Sequence, residues 1–429
     1  DRRLNVMAID AADSNEPIAT IVQWNSHPET TLGWAPPADA AGLTEACTTK
    51  GWEGGDCSAK GRYFTADYPG VLRSRVTASR GGELLYVNGP LGTQIGPGAA
   101  PTWVVDEAHP VTADGTAPAG AVPLTTCDDR EPLYCRSFAK TESIGTELAN
   151  AVTDLLAQTK RLDVRELTLR TERFYTRVSN IGFRVLLAEG SLGWTDPVLY
   201  NCDGHPSEAN CEVAPMETEE DPVITPLIDS EIVVGDVIQS RIMHLDLGDV
   251  GFLFMPGELP PELVVGLPDD FESAPEQYYR EPELYAVGED YQIPGHLLSL
   301  VDEDITFTVG LGSDELGYYV PVSDYRLRCL DLVLVSLPQR TSCADLAARQ
   351  IIESPEYVAG ATCAAITDDA NALAALGDDG PAVAAICRYG QGLGRELGEP
   401  QGHYEETNSA GWDLVEDLWS AAQRLFESR

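Results

Sequence analysis

The chain has 429 residues, of which 43% are hydrophobic, and it carries 69 acidic against 28 basic side chains, a formal net charge of −41. The electrostatic field of such a negative net charge repels nucleic acids and anionic membrane surfaces, so nucleic-acid binding is excluded as a function class. No apolar run approaches the ~18 residues of a membrane span, and the length allows one large α/β domain with insertions or two domains.

Cysteine usage predicts a secreted or periplasmic protein. The ten cysteines include no C-x-x-C motif of a zinc ribbon or redox protein. Close neighbours in the sequence suit small disulfide-closed loops, which form in oxidising compartments, although sequence leaves the connectivity open. These neighbours are Cys47/Cys57, Cys127/Cys135, Cys202/Cys211, Cys329/Cys343 and Cys363/Cys387. The acidity fits a protein kept in solution in a salty or calcium-rich medium, and a cationic partner is the alternative.

The first predicted elements are two strands that end in turns. Residues 18–24 form a short apolar, β-rich run that delivers His27. A Gly/Pro/Ala-rich loop covers 32–63, and a second strand at 83–88 runs into the glycine-rich turn 89–97. The spacing of that turn matches neither common phosphate-binding motif, so backbone amides that line a cleft are the favoured interpretation.

The middle of the chain alternates loops with one helix and one strand. Residues 97–140 are loop-rich, and Glu142 to Thr159 has apolar residues at helical spacing, which predicts an amphipathic packing helix. Residues 164–171 alternate as a half-buried strand. Residues 201–222 read as an acidic loop closed by cysteines, and Asp269 to Asp290 as an aromatic rim or lid over a cleft.

A β-hairpin leads to the carboxylate of Glu258. Two apolar runs flank the turn Gly248-Asp249, and the second ends at Met-Pro-Gly-Glu258, just before a predicted helix at 260–266. His27 and Tyr318 likewise follow apolar runs that end in Asn or Gly. A His, a carboxylate and a Tyr delivered from three strand ends indicate a metal site. The alternatives are a hydrogen-bonded structural His and a helix-capping Glu.

Several short segments together resemble the neutral, non-lysosomal ceramidase family of zinc amidohydrolases. They occur in the order of that family over nearly the whole chain, and the order is more specific than any one of them. The segments are Ile21-Val-Gln-Trp-Asn-Ser-His27-Pro, Ala66-Asp67-Tyr-Pro-Gly70, Val87-Asn-Gly-Pro-Leu-Gly-Thr-Gln, Met255-Pro-Gly-Glu258, Gly310-Leu-Gly-Ser-Asp-Glu-Leu-Gly-Tyr318 and His403-Tyr404-Glu-Glu-Thr-Asn-Ser409.

The resemblance implies a catalytic zinc ion held by two His, a Glu and a Tyr. His27 matches one His, Glu258 the Glu and Tyr318 the Tyr, while Tyr404 matches a Tyr that helps to hold the oxyanion formed from an amide carbonyl. It also implies attack by a zinc-bound water, whose pKa falls to roughly 7. Calcium is a second candidate ion.

The glycine-rich turn departs from the family. Gly92 and Thr93 of this turn are candidate substrate-binding residues, but Ile95 stands where the ceramidases carry a Ser that has been considered a nucleophile. We therefore favour attack by water over an acyl-enzyme route, with Thr93 as a spare nucleophile. The replacement also weakens the case for ceramide itself as the substrate.

The other expected groups have no match in the sequence. The first zinc-ligand His, a general-base His and an oxyanion-binding Arg of the family would lie upstream of Asp1, and no other His of the chain sits in a comparable motif. We expect a proteolytically processed heterodimer in which a separate N-terminal chain of the same precursor supplies them.

The resemblance also predicts the fold class and domain organisation. We expect an α/β protein with a mixed β-sheet core flanked by helices, disulfide-stapled insertions and no C-terminal immunoglobulin-like domain. Residues 1–326 form the catalytic domain without its N-terminal part, 327–402 a Cys-containing helical insertion, and 403–429 the return to the catalytic domain with a C-terminal helix. The insertion either shapes substrate choice, docks a partner or is a structural decoration. Its predicted helices are Cys343–Ile352, Thr362–Leu376 and Pro381–Arg388, and Asn408 and Ser409 are predicted to cap the terminal helix.

The predicted function is a secreted zinc-dependent amidohydrolase that cleaves a linear N-acyl amide of ceramide-like or other lipid-like type. Two alternatives stay open. One is an ester, lactone or acyl-amino-acid hydrolase on the same scaffold, and the other is a non-catalytic binding protein that kept the fold.

Overall fold

The protein divides into two compact units, Asp1–Asp163 and Val164–Arg429. The computed structural model describes residues 3–31, 64–93, 138–162, 164, 166–180, 183, 200–202, 211–213, 237–269, 271, 290–329, 342–352, 354–355, 357–389 and 404–427. The predicted loop 32–63, residues 97–137 with their cysteines, Ile95 and most of the predicted rim at 269–290 lie outside these ranges. Within them, no helix is long and apolar enough to cross a membrane.

In its described residues, the first unit consists of a three-stranded sheet and two helices. Its elements are β1 (Asn5–Asp10), β2 (Pro17–Trp24), α1 (Asp67–Arg80), β3 (Glu83–Asn88) and α2 (Phe138–Leu156). Central strand β2 pairs antiparallel with β1 and parallel with β3. Val22, Leu72, Leu84 and Val152 lie in one core shared by the sheet and both helices. The predicted strands 18–24 and 83–88 and the amphipathic helix are confirmed, the helix beginning at Phe138.

The second unit is built on a six-stranded mixed sheet in the order β6-β5-β7-β8-β9, with β4 paired to β7. The strands are β4 (Thr168–Arg177), β5 (Tyr200–Cys202), β6 (Cys211–Val213), β7 (Val237–Asp246), β8 (Val250–Phe254) and β9 (Ile305–Val309). The predicted hairpin is confirmed as β7 and β8, and β9 joins β8 in parallel. Mixed sheets flanked by helices confirm the predicted α/β class.

Strand β4 differs from its prediction. It begins at Thr168 because its partner β7 ends at Asp246, which pairs with Thr168, and it continues to Arg177, which pairs with Val237. The alternation therefore continues into Phe174 and Thr176, which are buried in the core. Polar and apolar alternation alone does not reveal where a partner strand ends.

The remaining helices and short strands follow β8 in sequence. They are α3 (Pro261–Val265), a 3₁₀ turn (Leu297–Leu300), β10 (Arg326–Arg328), α4 (Cys343–Ala348), β11 (Tyr357–Ala359), α5 (Gly360–Thr367), α6 (Ala370–Ala375), a 3₁₀ turn (Gly377–Asp379), α7 (Gly380–Tyr389), α8 (Tyr404–Thr407) and α9 (Leu414–Glu427). Helix α9 packs against the sheet, where Leu418 and Leu425 share a core with Phe174, Ile242 and Leu253.

The region predicted as a helical insertion contributes most residues of a second core. Strands β10 and β11 pair antiparallel, and helices α4, α5 and α7 contribute to a core that contains Leu346, Val358 and Val383. The predicted helix over Thr362–Leu376 is two helices, because Asp369 accepts a hydrogen bond from the Asn371 N–H and so caps α6. The core also takes in residues on both sides of the insertion, Val320 and Trp412.

Three of the predicted cysteine pairs are disulfides. They are Cys202–Cys211, Cys329–Cys343 and Cys363–Cys387. The first joins strands β5 and β6, which pair antiparallel within the region predicted as an acidic loop, and the other two lie in the helical insertion region. The other four cysteines lie outside the described residues.

The expected caps of the terminal helix are wrong. Helix α9 begins at Leu414, five residues after Ser409, and its first turn is closed by the Asp417 N–H donating to the Asp413 carbonyl. Ser409 is instead bridged to Gly317, and the Asn408 carbonyl accepts from the Tyr318 N–H. Asn and Ser are good caps, but here tertiary pairing uses the main chain around them.

A buried carboxyl group lies between helix α9 and strand β4. Asp417 is fully buried near Thr176 and Arg177 of the strand, and Asp413 lies one turn earlier, just before the helix. Burial, together with the charges of Asp413 and Glu416, raises the pKa of the Asp417 carboxyl to about 8, and Thr176 and Arg177 oppose the shift. Asp417 is therefore protonated in the folded protein at neutral pH.

This raised pKa makes stability depend on pH. Asp417 titrates near 4 when unfolded, so its contribution is fully present below that pH and is lost as the pH rises to about 8. We expect the free energy of unfolding in urea to fall between about pH 5 and pH 8 by up to about 1.4 kcal/mol per pH unit, and Asp417→Asn to remove this slope. The matched variant Asp378→Asn, at an exposed position, should keep it. An unchanged slope in Asp417→Asn would contradict the assignment.

Candidate functional site

Two residues predicted as metal ligands lie side by side in the second unit. Buried strand β8 leads through Gly257 to Glu258, whose N–H donates to the Gly317 carbonyl (2.9 Å). The Glu258 carbonyl accepts from the Tyr319 N–H (3.1 Å), so Glu258 and Tyr318 form a parallel bridge. Paired residues of neighbouring strands direct their side chains to the same face, and both side chains are half-buried here.

The loop between β9 and Tyr318 wraps around Gly257. The Gly257 N–H donates to the Asp314 carbonyl (2.7 Å), and the Gly257 carbonyl accepts from the Leu311 N–H (3.1 Å). Gly257 has φ of +83°, and a Cβ there would lie 2.6 Å from the Gly317 oxygen. The glycine therefore permits the close approach that pairs Glu258 with Tyr318.

The segment that contains Tyr404 is the third member of this arrangement. The Tyr318 N–H donates to the Asn408 carbonyl (3.0 Å), and the Ala410 N–H donates to the Leu316 carbonyl (2.9 Å). Tyr404 is the first residue of helix α8, one turn before Asn408. The side chain of Tyr404 lies outside what the structure describes, so its predicted role rests on the position of its main chain.

Asn180 holds the other side of that segment, and the sequence analysis missed it. Its side-chain amide donates to the carbonyls of Thr407 (3.0 Å) and Ser409 (2.8 Å), and its main-chain N–H donates to the Ala410 carbonyl. Asn180 follows the end of strand β4 and is fully buried. A polar residue after a strand was the signal used for His27, so the same rule could have found it once the end of β4 was known.

The approach of Tyr318 to Asn408 also requires a glycine. Gly317 has φ of +76°, and an added Cβ would overlap the Asn408 carbonyl. We expect Gly317→Ala to lower the free energy of unfolding by roughly 2–4 kcal/mol, because the strained backbone adds to an overlap with main-chain atoms.

A matched variant separates these two causes. Gly248 in the β7–β8 turn has φ of +92° and nothing within 4 Å of an added Cβ, so Gly248→Ala should cost only the strain, about 1 kcal/mol. Urea unfolding of both variants measures the difference. Equal losses would show that the overlap with Asn408 is not the constraint.

The predicted residues of the first unit lie at one edge of its sheet. Because β2 and β3 are parallel, His27 after β2 and the turn with Gly92 and Thr93 after β3 emerge at the same edge. The Gly89 N–H donates to the Trp24 carbonyl (3.0 Å), which ties the two strand ends together. His27 and Thr93 are half-buried, and Gly92 is buried.

A ladder of buried amides fixes the end of strand β2. Asn5 donates to the Gln23 side-chain oxygen (2.8 Å), and Gln23 donates to the Asn25 side-chain oxygen. Gln23 and Asn25 are buried, and an added Cβ at Gly89 would overlap the Asn25 amide. A buried polar network of this kind sets one geometry, because a partly satisfied network is costly.

The predicted residues thus come together as two groups, one in each unit. The second unit pairs a carboxylate and a phenol, and the first presents an imidazole. Carboxylate, phenol and imidazole groups can all be zinc ligands, whereas calcium prefers oxygen ligands alone. In the part of the chain that the structure describes, no group of three or more His, Cys, Asp and Glu side chains is placed to hold a metal ion.

The phenol of Tyr319, the residue after Tyr318, is buried near acidic side chains. Asp314 and Glu315 lie on the loop beside Tyr318, and together with Asp417 they surround Tyr319, which is almost fully buried. Burial raises the pKa of the Tyr319 phenol well above its usual value, and the three carboxylates raise it further.

Comparisons with known proteins give a weak structural likeness. No protein-family model and no curated protein sequence matches the chain. It is similar in structure to a neutral ceramidase from Pseudomonas aeruginosa, with 12% identity and a TM-score of 0.34 over 75% of this chain and 41% of that one. A ceramidase complexed with C2 gives 12% identity and a TM-score of 0.36 over 76% and 43%. The chain spans less than half the length of these structures, and at these values the likeness carries no inference about activity.

Proposed function

We propose that the protein is a secreted zinc amidohydrolase that cleaves a linear N-acyl amide. The observation that supports this most is the bridge between Glu258 and Tyr318, which places a carboxylate and a phenol on one face beside the Tyr404 segment. Two residues distant in sequence were predicted as ligands of the same ion, and their main chains are hydrogen-bonded. Secretion is supported by the three short-range disulfides.

In this proposal each residue has one task. Glu258, Tyr318 and His27 hold the zinc ion, with a further imidazole from outside these residues. Bound zinc supplies Lewis-acid polarisation of the amide carbonyl and lowers the pKa of a water to roughly 7. The Tyr404 phenol donates a hydrogen bond to the carbonyl oxygen as negative charge develops there, which stabilises the transition state by about 3 kcal/mol.

The reaction is hydrolysis of the amide C–N bond. The oxygen of water adds to the carbonyl carbon, the C–N bond breaks, and the nitrogen takes up a proton as the amine leaves. The products are a carboxylate and an amine. Gly92 and Thr93, at the same sheet edge as His27, are proposed to contact the substrate.

The proposal requires groups that the known motifs of this chain do not supply. The second zinc-binding imidazole, a general-base His and an oxyanion-binding Arg are assigned to a separate polypeptide chain of the same precursor. The chain has six His, and only His27 lies in a segment that matches a ligand position of the ceramidase family. Calcium remains a candidate second ion.

Substitutions at Glu258 and Tyr404 separate metal binding from catalysis. Glu258→Gln should lose zinc and turnover together, because the amide no longer neutralises the ion. Tyr404→Phe should keep its zinc and lose about 100-fold in kcat, because only a transition-state donor is removed. Zinc content and kcat are measured on protein purified with any accompanying chains. Exposed Glu427→Gln is the control for the loss of a carboxylate.

The outcomes distinguish the proposed function from its alternatives. Unchanged kcat in Tyr404→Phe would contradict the oxyanion role. A protein that holds zinc but cleaves esters or lactones rather than amides of the same acyl chain would be the other hydrolase. Zinc near zero that added metal does not restore, together with no turnover, would favour a non-catalytic binding protein.

A further inference from the structure

A buried hydrogen-bond network lies on both sides of His27 in the first unit. It begins at two consecutive residues, Asp67 and Tyr68, at the start of helix α1. Asp67 reaches Thr30, three residues after His27, and Tyr68 reaches Ser26, the residue before it. The sequence analysis used these two residues only as part of a family match and gave them no role.

Asp67 fixes the chain after His27. One carboxylate oxygen accepts from the Thr30 N–H (2.9 Å) and the Thr30 hydroxyl (2.7 Å), and the other accepts from the Tyr68 N–H (2.7 Å). Because the Thr30 hydroxyl donates to Asp67, the Thr141 hydroxyl of helix α2 donates to Thr30. Asp67, Thr30 and Thr141 are all buried, so these bonds are shielded from water.

The backbone of Asp67 is strained. Its φ is +49°, in the left-handed region that non-glycine residues rarely occupy and that costs of order 1 kcal/mol or more. This conformation lets one side chain receive both the Thr30 groups and the Tyr68 N–H. Strain that the surrounding structure maintains in this way is typical of sites that hold functional groups in place.

Tyr68 fixes the chain before His27. Its hydroxyl donates to the Ser26 carbonyl (2.6 Å) and lies 3.0 Å from the Tyr86 hydroxyl. Burial raises the pKa of the Tyr68 phenol far above its usual value, so the group stays protonated and remains a donor. The ring also packs edge-on against Trp24, at the end of β2.

We propose that Asp67 and Tyr68 are positioning residues for the His27 imidazole, which they orient for zinc by holding residues 26 and 30. This inference rests on the proposed function. The main chain of His27 lies between the buried amides at the end of strand β2 and Thr30, which Asp67 holds. It is therefore held on both sides. A ligand held in advance loses less conformational freedom when the ion binds.

The test uses two pairs of variants in the full protein with any accompanying chains. Tyr68→Phe removes only the hydroxyl that holds Ser26, and its control Tyr86→Phe removes the neighbouring hydroxyl. Thr30→Val removes the hydroxyl between Asp67 and Thr141, and its control Thr30→Ser restores one. Zinc affinity is measured by competition with a chelator, and hydrogen exchange of residues 26–30 is measured on the metal-free protein.

We expect Tyr68→Phe and Thr30→Val to bind zinc about tenfold more weakly and to exchange faster at residues 26–30, while the two controls stay within about twofold of the parent. The inference is overturned if both test variants bind zinc like the parent although His27→Ala has lost zinc. The inference is also overturned if the two control variants lose as much zinc affinity as the two test variants.

The same experiment separates this inference from the proposed function. If His27→Ala binds zinc like the parent, His27 is not a ligand, and the proposed function fails at that residue and this inference with it. If Tyr68→Phe fails to fold, the Thr30→Val and Thr30→Ser pair decides the question, because valine keeps the shape of threonine without its hydroxyl, whereas serine keeps the hydroxyl without the methyl group.

Discussion

The main-chain pairing of Glu258 with Tyr318 is the constraint on which the candidate site in the second unit depends. It requires two glycines with positive φ, Gly257 and Gly317, because a Cβ at either would meet a main-chain carbonyl. Once the two segments pair, Asn408 pairs with the far side of Tyr318, and the Tyr404 helix starts one turn away. Three segments that are remote in sequence therefore meet through backbone hydrogen bonds, whose geometry is less adjustable than that of side chains.

The first unit holds its candidate residue by a different device. His27 lies on a loop after strand β2, beyond the main-chain hydrogen bonds of the sheet. Buried side chains hold that loop instead: the amides on strand β2, the Asp67 carboxylate and the Tyr68 phenol. Buried polar groups are stable only when their partners are in place, so such a network specifies a single conformation. The two devices serve the same physical end, which is to restrict functional side chains before a ligand arrives.

Backbone strain in the described residues coincides with these devices. Four non-glycine residues have positive φ, and two of them, Asp67 and Leu311, lie in the network beside His27 and in the loop around Gly257. Strain of this kind is maintained only where neighbouring contacts outweigh it. By contrast, the buried Asp417 strains no backbone; it carries an electrostatic cost that makes stability depend on pH.

The sequence alone determined the local elements and the residue types of the site. Strands β2, β3, β7 and β8 and the terminal helix follow from apolar periodicity, and three disulfides follow from the proximity of their cysteines. The choice of His27, Glu258 and Tyr318 came from polar residues at strand ends together with a family resemblance, and their roles as ligands stay predictions.

Only the tertiary structure decided which segments pair. The bounds of β4, the pairing of Ser409 with Gly317 in place of a helix cap, and the contacts of Asn180, Asp67 and Tyr68 all depend on partners far away in the sequence. Periodicity reports which face of an element is buried, but it carries no information about which distant main-chain group accepts a given hydrogen bond. That information arises when the whole chain folds and each buried donor must find an acceptor.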